Sequence, residues 1–201
     1  MKDQQDYIQD IAEIRSMMER SSKFISLSGW AGILAGLYAL IGAWLSYSML
    51  RFNPDEVFYS SNSLPEVILL AVGVLILSLI TAIFFSQKKA GNNGDTLWNP
   101  TSKRLLSNMM IPFFSGGVLI LILVLKGLIG FVAPVMLIFY GLSLFVAGNF
   151  TLKEVKILGI TQIALGLANA WFIEFGLLFW AIGFGVVHLI YGIYMHFKYE
   201  R

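Results

Sequence analysis

Six stretches of the chain, at about 24–50, 65–86, 105–125, 128–150, 155–173 and 175–197, are apolar almost throughout, and short polar connections separate them. Each has roughly the 20 residues that a helix needs to cross a hydrocarbon core. The pattern predicts an all-α polytopic membrane protein: a transmembrane domain over 24–201 with six transmembrane helices. The last stretch is free of Asp, Glu, Lys and Arg and carries two histidines, His188 near its middle and His196 at its end.

Residues 1–23 differ. They are polar, and Tyr7, Ile11, Ile14 and Met18 are spaced four, three and four apart, which sets them on one helical face. Asp3, Asp6, Asp10, Glu13 and Glu19 take the early and outer positions and Arg15, Arg20 and Lys23 come late, in accord with the helix dipole. The segment reads as a cytoplasmic amphipathic helix that lies at the interface and leads into the first span; docking to a partner is the sharper alternative. The segment lacks the basic n-region and small-residue cleavage site of a signal peptide and is not read as one.

Among the connections, Asn53-Pro54-Asp55 marks a turn in the loop at 51–64, and Pro65 suits a helix start. Residues 87–104 are Gly-, Asn- and Pro-rich with basic ends and no apolar period, which predicts an exposed loop. Lys126-Gly127 predicts a tight turn, Pro112 a kink, 151–156 a short polar connection, and Glu174 a very tight turn.

The first span is rich in small residues, and Gly32 and Gly36 form a GxxxG step. Such spacing lets helix backbones approach closely. It serves packing within the monomer or a homo-oligomer seam. Overlaying 29–37 on 159–167 matches Gly29 with Gly159 and Gly36 with Gly166, and overlaying 71–88 on 181–198 matches Gly73 with Gly183. The matches predict a parallel repeat of helical hairpins, helices 1–2 and 5–6, about an axis along the membrane normal. Helix packing is expected at Gly29, Gly32, Gly36, Gly159 and Gly166.

Composition agrees with a lipid-embedded chain: 57% hydrophobic and 13% charged residues, with mean hydropathy +0.75. A soluble domain carries about a quarter charged residues. The net charge of +2 does not suggest nucleic acid. Sorting the 14 Lys and Arg residues by alternating span ends puts 12 on one side and only Arg51 and Lys126 on the other. The positive-inside rule then predicts that both termini are cytoplasmic.

Polar groups near mid-depth are few: Tyr38, Ser78, Ser115, Tyr140 and His188, with His188 taking the place of Ser78 in the overlay. Buried polar groups in lipid need partners, so some of these are expected to meet. One reading is a midplane ligand pocket with His188 titrating or hydrogen-bonding a ligand. The other is a structural histidine bonded to a Tyr or Ser across a helix contact. Asn149, Gln162 and Asn169 fall off mid-depth and could cap or bridge helices. The chain has no cysteine and two histidines, His188 and His196, two turns apart on one helix, which is too far to hold one metal together. No metal or other cofactor is expected.

The segments MMERSSKFISLSG at 17–29 and LGLANAWFIEFGLLFWAIGFGVVHLIYGIYMHFKYER at 165–201 carry a family likeness. In them the chain resembles a family of small six-span integral membrane proteins of the Bacteroidetes type. The resemblance implies a bacterial inner-membrane location and supplies no catalytic residues. Three functions compete. The first is binding or transport of a small molecule or lipid at a midplane site between hairpins, with Pro112 and Pro134 as helix breakers. The second is a structural or regulatory role through protein partners. An enzyme is the weakest, since no nucleophile–base–acid set stands at recognisable spacing.

Overall fold

The structure is a computed structural model that describes residues 27–60, 62–92 and 96–200. The amphipathic helix expected at 1–23 lies outside the described residues. Among those, every regular element is helical. α1 is Gly29–Ser48, α2 Leu64–Asn92, α3 Pro100–Leu125, α4 Ile129–Ala147, α5 Lys153–Trp171 and α6 Ile173–Tyr199. Five of these six are long and apolar enough to cross a membrane; α5 is the exception.

The helices are bounded by local chemistry. α3 starts earlier than its apolar run because Asn99 and Ser102 form a reciprocal capping box over Pro100, satisfying donors that the first turn leaves open. α2 likewise runs on to Asn92, so most of the loop expected at 87–104 is helix. α3 passes through Pro112 without a break. Gly127 turns the chain into α4 at φ 73°, a conformation that glycine adopts without steric cost. α4 opens with a 3-10 turn at Ile129–Phe131 and α6 with one at Ile173–Phe175. Within α6 the stretch Ala181–Val187 widens to a π-helix before His188–Tyr199 resumes as α-helix.

α1 packs between α2 and α6, while α4 packs between α3 and α5 and meets the first half of α6. α2 and α3 are peripheral: none of the most apolar stretch of α2 is buried, and Leu69, Ile80, Ile111 and Leu125 face outward. Hydrocarbon side chains on all sides of a helix are what a lipid environment accepts.

Glycine makes the two tight seams. On α1, a Cβ at Gly36 would sit 2.7 Å from the Gly185 carbonyl oxygen of α6, and one at Gly29 would sit 2.6 Å from that of Gly192. A Cβ at Gly32 would sit 3.0 Å from the Gly192 Cα. Between α4 and α5 the relation is reciprocal: a Cβ at Gly141 would lie 2.7 Å from the Gly159 oxygen, and one at Gly159 2.7 Å from the Gly141 oxygen. Gly166 meets Ile138 and Gly148 meets Lys156, so the seam runs the length of both helices. The glycines matched in the overlay therefore have different partners, α6 for Gly29 and Gly36 but α4 for Gly159 and Gly166. Gly183 is pressed against Leu137, whereas its match Gly73 has open space.

Polar clasps tie helix ends where α6 finishes. Glu200 accepts from the Gly29 N–H at 2.9 Å and from His196 at 2.8 Å, with Lys89 at 3.3 Å. Lys89 also donates to the Leu27 carbonyl at 2.8 Å, so one carboxylate joins α1, α2 and α6. Beside it, Lys198 donates to Glu154 at 2.6 Å and Tyr199 to the same oxygen at 3.1 Å, joining α5 to α6. Burial pushes the Glu200 carboxyl upward, but the hydrogen bonds from His196, the Gly29 N–H and Ser28, with Lys89 alongside, outweigh it and hold it below the ordinary 4.5.

Two outcomes are expected. In thermal or denaturant unfolding of purified protein, Gly36→Ala and Gly159→Ala each lose about 1–3 kcal/mol, since backbone on the facing helix must move. Gly73→Ala and Gly117→Ala, which have nothing within 4 Å, hold stability or gain up to about 1 kcal/mol. Equal losses at all four would contradict the seam assignment. For Glu200, a depressed folded-state value means stabilisation that is complete above the ordinary carboxylate value and lost as pH falls through the folded one. Melting temperature should drop on acidification, and Glu200→Gln should lower it at neutral pH and flatten the acid dependence.

Candidate functional site

The polar group around His188 is built by α4, α5 and α6. Tyr140 Oη lies 2.9 Å from His188 Nε2. On the other side of the ring, His188 Nδ1 lies 2.9 Å from the Gly183 carbonyl oxygen, which also accepts from Gln162 Nε2 at 2.7 Å. A carbonyl can only accept, so Nδ1 carries the proton. Nε2 of the neutral ring then accepts from the Tyr140 hydroxyl. Gln162 Nε2 and His188 Nδ1 approach to 3.4 Å because they share an acceptor. As two donors they do not bond each other.

This arrangement uses the π-turn of α6. The wider turn, with glycine at Gly183 and Gly185, offers the Gly183 carbonyl to side chains rather than to the helix alone. Gly183 lacks a Cβ where Leu137 and Gln162 press in. Phe184 stacks on the imidazole, with centroids 5.9 Å apart and planes at 15°, and meets Tyr140 at a tilt of 42° with centroids 5.1 Å apart. His188 is buried and Gln162 is fully so. In such a dry setting each hydrogen bond is strengthened, and each missing partner costs more.

Of the five mid-depth residues singled out in the sequence, Tyr140 and His188 meet. The hydroxyl of Ser115 turns back to the Ile111 carbonyl of its own helix at 2.8 Å, on the exposed side of α3. Ser78 is half-buried on α2 and Tyr38 half-buried on α1, and no described hydrogen bond links either to His188. The physical reason is that depth along a span does not fix direction around it, and α2 and α3 sit at the margin of the bundle.

The residues that depth alone understated lie on α5. Gln162 and Asn169 are fully buried and Glu154 nearly so. Glu154 Oε2, Gln162 Oε1 and both amide atoms of Asn169 have no hydrogen-bond partner among the described residues. At 100° per residue the three side chains fall within about 80° of one face. Over the helix they are spread by about 22 Å. Their signal in the sequence was that shared face, together with the low hydropathy of α5. Among the described residues no three His, Asp or Glu side chains converge to hold a metal ion. No family model matches the chain, and no curated protein or solved structure matches it.

If the Tyr140–His188 bond joins α4 to α6, a double-mutant cycle of Tyr140→Phe and His188→Leu should give a coupling of roughly 0.6–1.7 kcal/mol in unfolding experiments. The nitrogen shifts of labelled His188 should report a protonated Nδ1 and an unprotonated Nε2. The opposite tautomer would overturn the assignment.

Proposed function

We propose that the chain is a six-span integral membrane protein of a bacterial inner membrane, with both termini cytoplasmic, that binds or transports a small polar molecule within the α4–α5–α6 core. The sixth span is α5. Its 19 residues correspond to about 28 Å, close to a hydrocarbon core. Its antiparallel seam with α4 supports a shared axis, and its polar side chains face protein rather than lipid, where they are tolerated. The 12-to-2 distribution of Lys and Arg supports the orientation. So do the clasps, which gather the start of α1, the end of α2, the start of α5 and the end of α6.

The observation that carries the functional reading is the set of unpartnered polar atoms on the buried face of α5. Proteins rarely leave such atoms bare, so a polar guest along that face is the economical account. The repeat of hairpins keeps its support in the matched glycines. Because those glycines have different partners, the reading does not rest on two symmetric sites.

A structural role through protein partners has one observation in its favour: both ring nitrogens of His188 are already bonded, so the imidazole itself has no site to offer. The two readings separate in a thermal-shift screen of the purified full chain against small polyols, amides, amino acids and short carboxylates. Binding predicts that at least one class raises the melting temperature of the wild type, with the rise reduced in Gln162→Leu. A flat screen, with Gln162→Leu more stable than the wild type, would make the α5 face architecture and favour the partner role.

A further inference from the structure

The bundle end away from the Glu200 clasp is covered by residues 51–60. Phe52 and Pro54 of this strap are buried, and Phe52 meets Tyr59 edge-on with centroids 5.4 Å apart. Backbone bonds hold it down: the Gly130 N–H donates to the Val57 carbonyl at 3.2 Å, and the Tyr59 N–H to the Gly127 carbonyl at 3.3 Å. Gly130 has no room for a Cβ, since Glu56 of the strap and Ile173 of α6 both press on it. The strap therefore closes over the start of α4 and the start of α6.

Asn169 lies about one helical turn further into the bundle than Ile173, which with Gly130 meets the strap. Along α5, Gly166 is level with Ile138 of α4, and Ile173, just past the helix end, is level with Gly130. Asn169 falls between, at the level of Pro134, which is fully buried and offers no N–H. The amide of Asn169 is fully buried too, and neither its Nδ2 nor its Oδ1 has a partner among the described residues. A buried amide without partners is strongly unfavourable, and native proteins resolve such sites with water or a ligand. The amide presents a donor and an acceptor side by side and no charge.

We propose that Asn169 is the recognition residue of a closed compartment under the strap, which holds a small neutral molecule bearing both a donor and an acceptor and is entered when the strap lifts. Water and small amides or alcohols share this chemistry. The inference deepens the α5 reading above by naming the chemical class of the guest and its route of entry. It is tested at a different residue, so it can fail while binding elsewhere on α5 survives.

The natural chain has no cysteine, so a single introduced thiol reports alone. The full chain carrying Asn169→Cys is reconstituted in vesicles and treated with the small neutral reagent methyl methanethiosulfonate. Labelling of folded protein is expected, slower than at the exposed strap variant Asn53→Cys and at least tenfold faster when Phe52→Ala loosens the strap. If Asn169→Cys does not fold, a density map of the wild type decides instead. A folded protein that stays unlabelled, or labels at a rate indifferent to Phe52→Ala, overturns the compartment. In a high-resolution map of the wild type, density is expected within hydrogen-bonding distance of both Asn169 amide atoms, and a bare amide refutes the proposal. With density present, a rise in melting temperature on adding acetamide that Asn169→Leu abolishes identifies a solute site. No rise identifies water.

Discussion

In lipid, a leucine gains little by leaving the acyl chains for a neighbouring helix, so this bundle depends on how closely its backbones can approach. Two glycine seams provide that approach. Gly29, Gly32 and Gly36 bring α1 onto Gly185 and Gly192 of α6, and Gly141, Gly148, Gly159 and Gly166 bring α4 and α5 together. Carbonyl oxygens of one helix then lie over the Cα positions of the next, where dispersion and weak Cα–H contacts accumulate along the interface. α2 and α3 take no part in these seams and present hydrocarbon outward.

The seams decide where polarity can sit. α5 is too polar to be an ordinary lipid-facing helix, yet with its glycine row against α4 its polar face lies inside the protein. There Gln162 reaches the Gly183 carbonyl that the π-turn of α6 presents, and His188 is held from both sides by the same carbonyl and Tyr140. The histidine is thereby committed to a neutral hydrogen-bonded role. The uncommitted polarity belongs to Glu154, Gln162 and Asn169, one helix away from the residue that first attracts notice.

The two ends of the bundle are closed by different means. At one, Glu200 and Glu154 collect Lys89, His196 and Lys198, so that ion pairs and charge-assisted bonds join four helix ends. At the other, the strap at 51–60 is held by backbone hydrogen bonds and by buried Phe52 and Pro54. A clasp of charged groups resists opening at neutral pH, whereas a strap held by a few backbone bonds and apolar contacts is the easier element to lift.

Much of the architecture was legible in the sequence. Apolar length alone marks five of the helices, because a chain in lipid must satisfy its backbone within each segment and leaves a run of about 20 residues as the record. Glycine spacing marks Gly29, Gly32, Gly36, Gly159 and Gly166 as close-contact positions, though not which helix each one faces. The sequence sorts polar residues by depth but not by direction, so by depth Tyr38, Ser78 and Ser115 fall with His188 while Gln162 and Asn169 do not. Tertiary structure decided those matters. The rotation of each helix about its axis, the π-turn at Ala181–Val187 and the fold of the strap over Gly130 depend on contacts between residues far apart in the chain, and no local pattern encodes them.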